Sequence, residues 1–188
     1  MKNIYSQGWE LCLEAQFLQG NRFRRSAYIC SPLRAECESG ILLNMRAARA
    51  YMFYATARLG CIARAPHAYL PMLLCDAEKN ERELALKFGL DLLGISDIML
   101  VCGDCISEGM KGEIVRAAMS THEIHVFHDK VYPAVRKIVE ESGGNLQSVA
   151  FRREHPMLSL SAAEICALAY ARADRSVNEG VARDALSI

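Results

Sequence analysis

Residues 97–103 read DIMLVCG, and the fold turns on that stretch. Its apolar residues are continuous rather than alternating, as in a strand covered on both faces, which is the habit of parallel sheets. Working back from it, Glu78 to Leu93 is charged and then amphipathic, a helix, reached through a connection at 71–76. Cys61 to Ala65 is a second strand, ending at Pro66-His67. Ile41 to Leu59, rich in Ala, Met and Arg, is a long helix stopped by Gly60. Ala27 to Cys30 is the first strand, cut off by Ser31-Pro32.

Working forward, Ser107 opens a helix to about Met119, and EIHVF (Glu123 to Phe127) is a fourth strand. A helix around Pro133 to Glu141, the pair Gly143-Gly144 and a short strand near Val149 follow. Strands alternating with helices of this length imply βαβ units, and right-handed crossovers put helices on both faces of a parallel sheet. The expected fold is α/β: an open, doubly wound parallel sheet of about four to five strands, Rossmann/flavodoxin-like. Trp9, Leu13 and Phe17 place a helix over 4–19, ended by Gly20-Asn21, and Ser161 to Glu164 has the spacing of a capping box. The expected organisation is a domain over 26–155 between helical extensions at 1–25 and 156–188.

Lys+Arg and Asp+Glu balance at 22 each, so no net field draws the chain to a polyanion. The run RFRR at 22–25 reads as a solvated lead-in to the first strand. No apolar run reaches the length of a membrane span, and the first residues lack the apolar core of a signal peptide. Cys30, Cys61, Cys102 and Cys166 fall in apparent core segments, as reduced thiols used as small hydrophobes do. A cytoplasmic protein is expected. Cys102 and Cys105 form a lone CxxC; His122, His125 and His128 are the candidates to complete a zinc set, but on a strand His125 faces away from the other two. Neither a metal nor a cofactor is expected.

In a parallel α/β sheet ligands bind beyond the carboxyl ends of the strands. Three ends converge there: Ser31, Pro32 and Arg34 from the first; His67 and Tyr69 from the second; Gly103, Asp104 and the turn Ser107 to Glu113 from the third. A helix start with Ser107, Gly109 and Gly112 presents backbone N–H groups, and Arg34 adds a bidentate donor suited to a phosphate. An arginine at that place equally pairs with a surface carboxylate. Glu113 lies about one and a half turns into the helix. It is either a helix glutamate paired with Arg116 or a carboxylate nucleophile or base oriented by Tyr28.

Through YICSPLR (28–34), APHAYLP (65–71) and ISEGMKGEI (106–114), the chain from about Ser26 to Phe127 resembles the nucleoside 2-deoxyribosyltransferase-like superfamily. That group holds the deoxyribosyltransferases and the 2'-deoxynucleoside 5'-phosphate N-hydrolases; the likeness is best to an uncharacterised bacterial and phage-borne branch. The resemblance implies that Glu113 is the nucleophile, that Tyr28 positions it, and that Ser31, Arg34, Ser107 and Gly109 hold a 5'-phosphate. Where the family has an aspartate that handles the leaving base, this chain has Gly89, with Asp91 two residues on; His67 or Asp91 would then assist the base. The function implied is cleavage or transfer of the base of a (deoxy)nucleoside 5'-phosphate, by hydrolysis or transfer. The alternative is a non-catalytic protein of the same fold that binds a nucleotide or a nucleotide-derived signal. The partner implied is a small-molecule nucleoside or nucleotide in a homo-oligomer; the charge balance and hydropathy above give no expectation of a nucleic-acid or membrane partner.

Overall fold

The computed structural model describes residues 24–75 and 78–169; the helix expected over 4–19 and the tail beyond 169 lie outside them. Five strands, β1 (Ser26–Cys30), β2 (Ile62–Arg64), β3 (Ile98–Val101), β4 (Glu123–Val126) and β5 (Val149–Phe151), form one sheet in the order β2-β1-β3-β4-β5. Every pairing is parallel. This is the flavodoxin-like strand order, whose direction of winding reverses between β1 and β3.

Alternation along each strand builds two cores. Ala27, Ile29, Ile98 and Leu100 meet Ala47, Ala48 and Tyr51 of helix α1 (Glu38–Tyr54) on one face. Tyr28, Cys30, Met99 and Val101 turn to the other. There they meet Leu93 of α2 (Lys79–Gly94), Met110 and Ile114 of α3 (Glu108–Met119), and Val135 and Val139 of α4 (Val131–Glu141). Cys30, Cys61, Cys102 and Cys166 are all buried, as their apolar settings led us to expect.

Helix boundaries move where termini obey chemistry other than apolar spacing. α1 begins at Glu38, three residues before the first periodic apolar position, because an acid in the first turn suits the helix dipole. Its last turn widens into a π turn over Ala55–Leu59 and closes on Gly60 at φ 66°, the left-handed stop that glycine permits. α4 starts at Val131, ahead of Pro133, since a proline in the first turn gives up an N–H that has no intrahelical partner.

Residues 156–169, expected as the start of a C-terminal extension, pack into the first layer. Leu158 is fully buried, and Ile165 joins the same core. The Gly103 N–H donates to Leu158 O at 3.0 Å and Tyr51 Oη to Leu160 O at 2.5 Å, tying this segment to the end of β3. Ser161 and Glu164 cap each other as their spacing predicts, with N–H to Oε2 at 2.8 Å and the return bond at 3.3 Å, and residues 162–169 are helical. Among the described residues no helix is long and apolar enough to cross a membrane.

Candidate functional site

The winding reversal opens a crevice beyond the ends of β1 and β3. Gly103, at φ 93°, turns the chain out of β3 there. A Cβ on it would stand 3.4 Å from Pro32 Cδ and 3.5 Å from Tyr51 Oη, so the two strand ends approach over bare backbone.

On the second face of β1, the Tyr28 hydroxyl donates to Glu113 Oε1 at 2.8 Å. Tyr28 is fully buried, while Glu113 is half-buried at the margin of the α3 face that carries Met110, Ile114 and Ala117. Burial lifts the Glu113 carboxyl above its ordinary range, against the pull of hydrogen bonds from Tyr28 and from the Cys30 thiol. Burial first, and then the Glu113 charge, push the Tyr28 phenol and the Cys30 thiol strongly upward, so both keep their protons.

His67 lies in a short turn after β2, and its Nε2 pairs with Ser31 Oγ at 2.7 Å. Burial holds its imidazole down to about 4, so the ring is neutral at pH 7. Ser31, expected at a phosphate, is itself only 5% exposed and is engaged by this histidine. A neutral imidazole is a poor proton donor, which weighs against His67 as the acid for a leaving base.

α2 crosses the Tyr28–Glu113 pair at Gly89. A Cβ there would be 3.4 Å from Tyr28 Oη and 3.8 Å from Pro66 Cγ. Asp91 is exposed, about 200° around the helix from Gly89, and the intact helix does not bring it to the pair.

Arg34 is exposed and borders a cleft of about 130 Å³ with Asn44, Gly103, Asp104 and Cys105. Asn44 Nδ2 donates to Leu33 O at 3.0 Å and shapes the arginine's loop. At the start of α3, the Ser107 hydroxyl accepts from the Met110 N–H at 3.4 Å and serves as the helix cap. Beside it, a Cβ on Gly109 would meet only Ser107 Oγ, at 3.9 Å. Arg34 borders the 103–105 loop, which leads in sequence to the α3 start.

Two features escaped the sequence reading. A larger cleft of about 470 Å³ lies on the other side of the same loop, lined by Lys111, Lys130 and Lys137 with Asp104 and Glu141. Arg64 stands in register with Tyr28 across β1 and β2, and its Nη1 is buried without a hydrogen-bond partner among the described residues. The signal for Arg64 was a cation inside an otherwise apolar strand.

The histidines scatter: His122 Nε2 pairs with Leu93 O at 3.0 Å on the second face, and His125 Nε2 with Glu123 Oε2 at 3.3 Å. Among the described residues no three His, Cys, Asp or Glu side chains form a metal-ligand group.

Residues 25–127 match the family model described as Domain of unknown function (DUF7768). The chain belongs to this family. The match runs from just before β1 through β4 and takes in Tyr28, Ser31, Arg34, His67, Gly89, Ser107 and Glu113, but not β5 or the segment that closes over Gly103. A search of curated proteins finds no match.

Proposed function

We propose that the protein cleaves or transfers the N-glycosidic bond of a (deoxy)nucleoside 5'-phosphate, with Glu113 as nucleophile and Tyr28 as its positioning residue. One observation carries this reading: the 2.8 Å bond from Tyr28 to Glu113 at the winding reversal, where ligands of such sheets bind. No ion pair holds this glutamate among the described residues; burial and the Tyr28 hydrogen bond govern it. Glu113 attacks C1', the base leaves with the bonding electrons, and a glycosyl ester forms on Oε. Water then gives hydrolysis, or a second base gives transfer. Arg34 and the N–H groups at the start of α3 hold the 5'-phosphate. The exposed Leu84, Leu86, Phe88 and Leu90 on α2 support a homo-oligomer.

Base release from a panel of nucleosides and 5'-mononucleotides, followed by chromatography beside Glu113→Gln, tests the reading. Release that disappears in a folded variant supports it. Absence of release from every compound overturns it in favour of the second reading, a nucleotide-binding protein, which the bare backbone at Gly89 favours because no acid stands there to protonate a leaving base.

A further inference from the structure

Among the described residues Glu113 presents an unfilled electrostatic demand. It is half-buried, hydrogen-bonded by Tyr28 at 2.8 Å, with the Cys30 thiol beside it. No cation and no second carboxylate among the described residues acts on it. A buried charge without a counter-charge is costly, and a ligand bearing the opposite charge removes that cost.

Among the described residues the surroundings also lack a proton to give. Retaining glycosidases set a second carboxyl about 5–5.5 Å from the nucleophile to protonate the leaving group. Here the backbone of Gly89 faces the Tyr28 hydroxyl, and Asp91 is exposed on the far side of α2. Tyr28 already donates to Glu113, and His67 is paired with Ser31. Arg64 lies on the same face in register with Tyr28, but a guanidinium does not release its proton.

We propose that the substrate is a nucleotide whose glycosidic nitrogen is already cationic, an N-ribosylpyridinium 5'-phosphate or an N-alkylated purine nucleotide, whose base departs neutral without being protonated. This rests on the proposed role of Glu113 and narrows it. Glu113 Oε bonds to C1' as the C1'–N bond breaks, and the electron pair neutralises the ring nitrogen. Water then attacks C1', the carboxylate is released, and one proton passes to solvent. The cation supplies the missing counter-charge in the ground state and the leaving group in the reaction.

The test pairs each cationic nucleotide with a neutral counterpart of nearly the same shape: nicotinamide mononucleotide with its reduced form, and 7-methylguanosine 5'-phosphate with guanosine 5'-phosphate. dAMP serves as an unpaired neutral probe. Base release is read against protein-free controls and against Glu113→Gln. We expect nicotinamide and 7-methylguanine to be released at least ~100-fold faster than the neutral partners react, the lower end of what a general acid contributes. Glu113→Gln should abolish the release. Comparable Glu113-dependent release from guanosine 5'-phosphate or dAMP overturns the cationic assignment and leaves the glycosidase reading standing. No release from any of the five, in protein shown to be folded, overturns both.

A gain-of-function arm is independent of that comparison. Gly89→Asp would set a carboxyl beside Tyr28, where a Cβ already makes van der Waals contact with Tyr28 Oη at 3.4 Å. It should raise release from dAMP while leaving the nicotinamide rate within a few-fold. An equal change on both substrate classes would count against the assignment.

Discussion

Tyr28 and Glu113 stand 85 positions apart in the chain and meet through a 2.8 Å hydrogen bond between β1 and α3. The bond fixes Glu113 Oε1 against β1. It also opposes the effect of burial, holding the Glu113 carboxyl lower than desolvation alone would. Tyr28→Phe keeps the buried ring and removes only the hydroxyl. A hydrogen bond to a charged group contributes ~1.5–3 kcal/mol, so base release should fall ~10- to 100-fold. The acid limb of the pH–rate profile should move to higher pH, because the variant loses an influence that lowers the Glu113 pKa. A rate loss with an unmoved limb would mean the tyrosine acts only in packing.

Glu113 should destabilise the fold that carries it. Its folded-state pKa lies above the ordinary 4.5, so the native state binds the proton more tightly than the unfolded chain. Stability therefore falls as pH rises from about that ordinary value through the raised one, and the deficit persists above both. Glu113→Gln, neutral at every pH, should melt higher than wild type at pH 7, with the advantage fading toward pH 4. Thermal denaturation of both proteins at the two pH values checks this, and an advantage that does not change with pH would contradict it.

His67 titrates in the opposite sense. Its folded pKa is lowered from 6.5 to about 4 by burial, so its contribution to stability is complete above pH 6.5 and is lost as pH falls toward 4. His67→Gln should flatten that part of the stability–pH curve while leaving the Glu113-dependent part in place. An unchanged slope between these limits would show that the imidazole is solvated.

Arg34 reports on the phosphate. Arg34→Ala should raise KM for a 5'-nucleotide by ~10- to 100-fold, the loss expected for a charge-assisted bond. KM for the corresponding nucleoside should stay within a few-fold. Equal effects on both substrates would remove Arg34 from phosphate recognition.

Gly103 joins the two strand ends at φ 93°. Gly103→Ala forces an L-residue into the left-handed region at ~1–2 kcal/mol, and its Cβ meets Pro32 Cδ at 3.4 Å. A Tm lowered by ~2–8 °C is expected for a domain of this size. A variant as stable as wild type would mean the turn relaxes.

The layer structure was legible from local pattern. The unbroken apolar run at Ile98–Val101 and the strand–helix alternation around it announce a doubly wound parallel sheet, because strand burial on two faces and helix amphipathicity are properties of short windows. Ser107 as a helix cap and the Ser161–Glu164 box were equally local. Placing Arg34, Ser107 and Glu113 at one sheet edge followed from topology alone, since parallel strands deliver all their carboxyl ends to the same side.

Tertiary packing decided the rest. Ser31 faces His67 rather than an open crevice, and the desolvation that keeps that imidazole neutral comes from atoms of several elements. Arg64 has a buried Nη1 because β2 lies beside β1 in one register, a long-range fact absent from the five-residue window that contains it. Residues 156–169 belong to the first layer because Leu158 and Ile165 find an apolar surface assembled from α1 and the sheet. Sequence by itself determined which chemical groups this protein owns and the periodicity that sorts them into strands and helices. Only the tertiary structure decided which of those groups lose their water and which partner each one meets, because charge state and hydrogen bonding depend on neighbours far away in the chain.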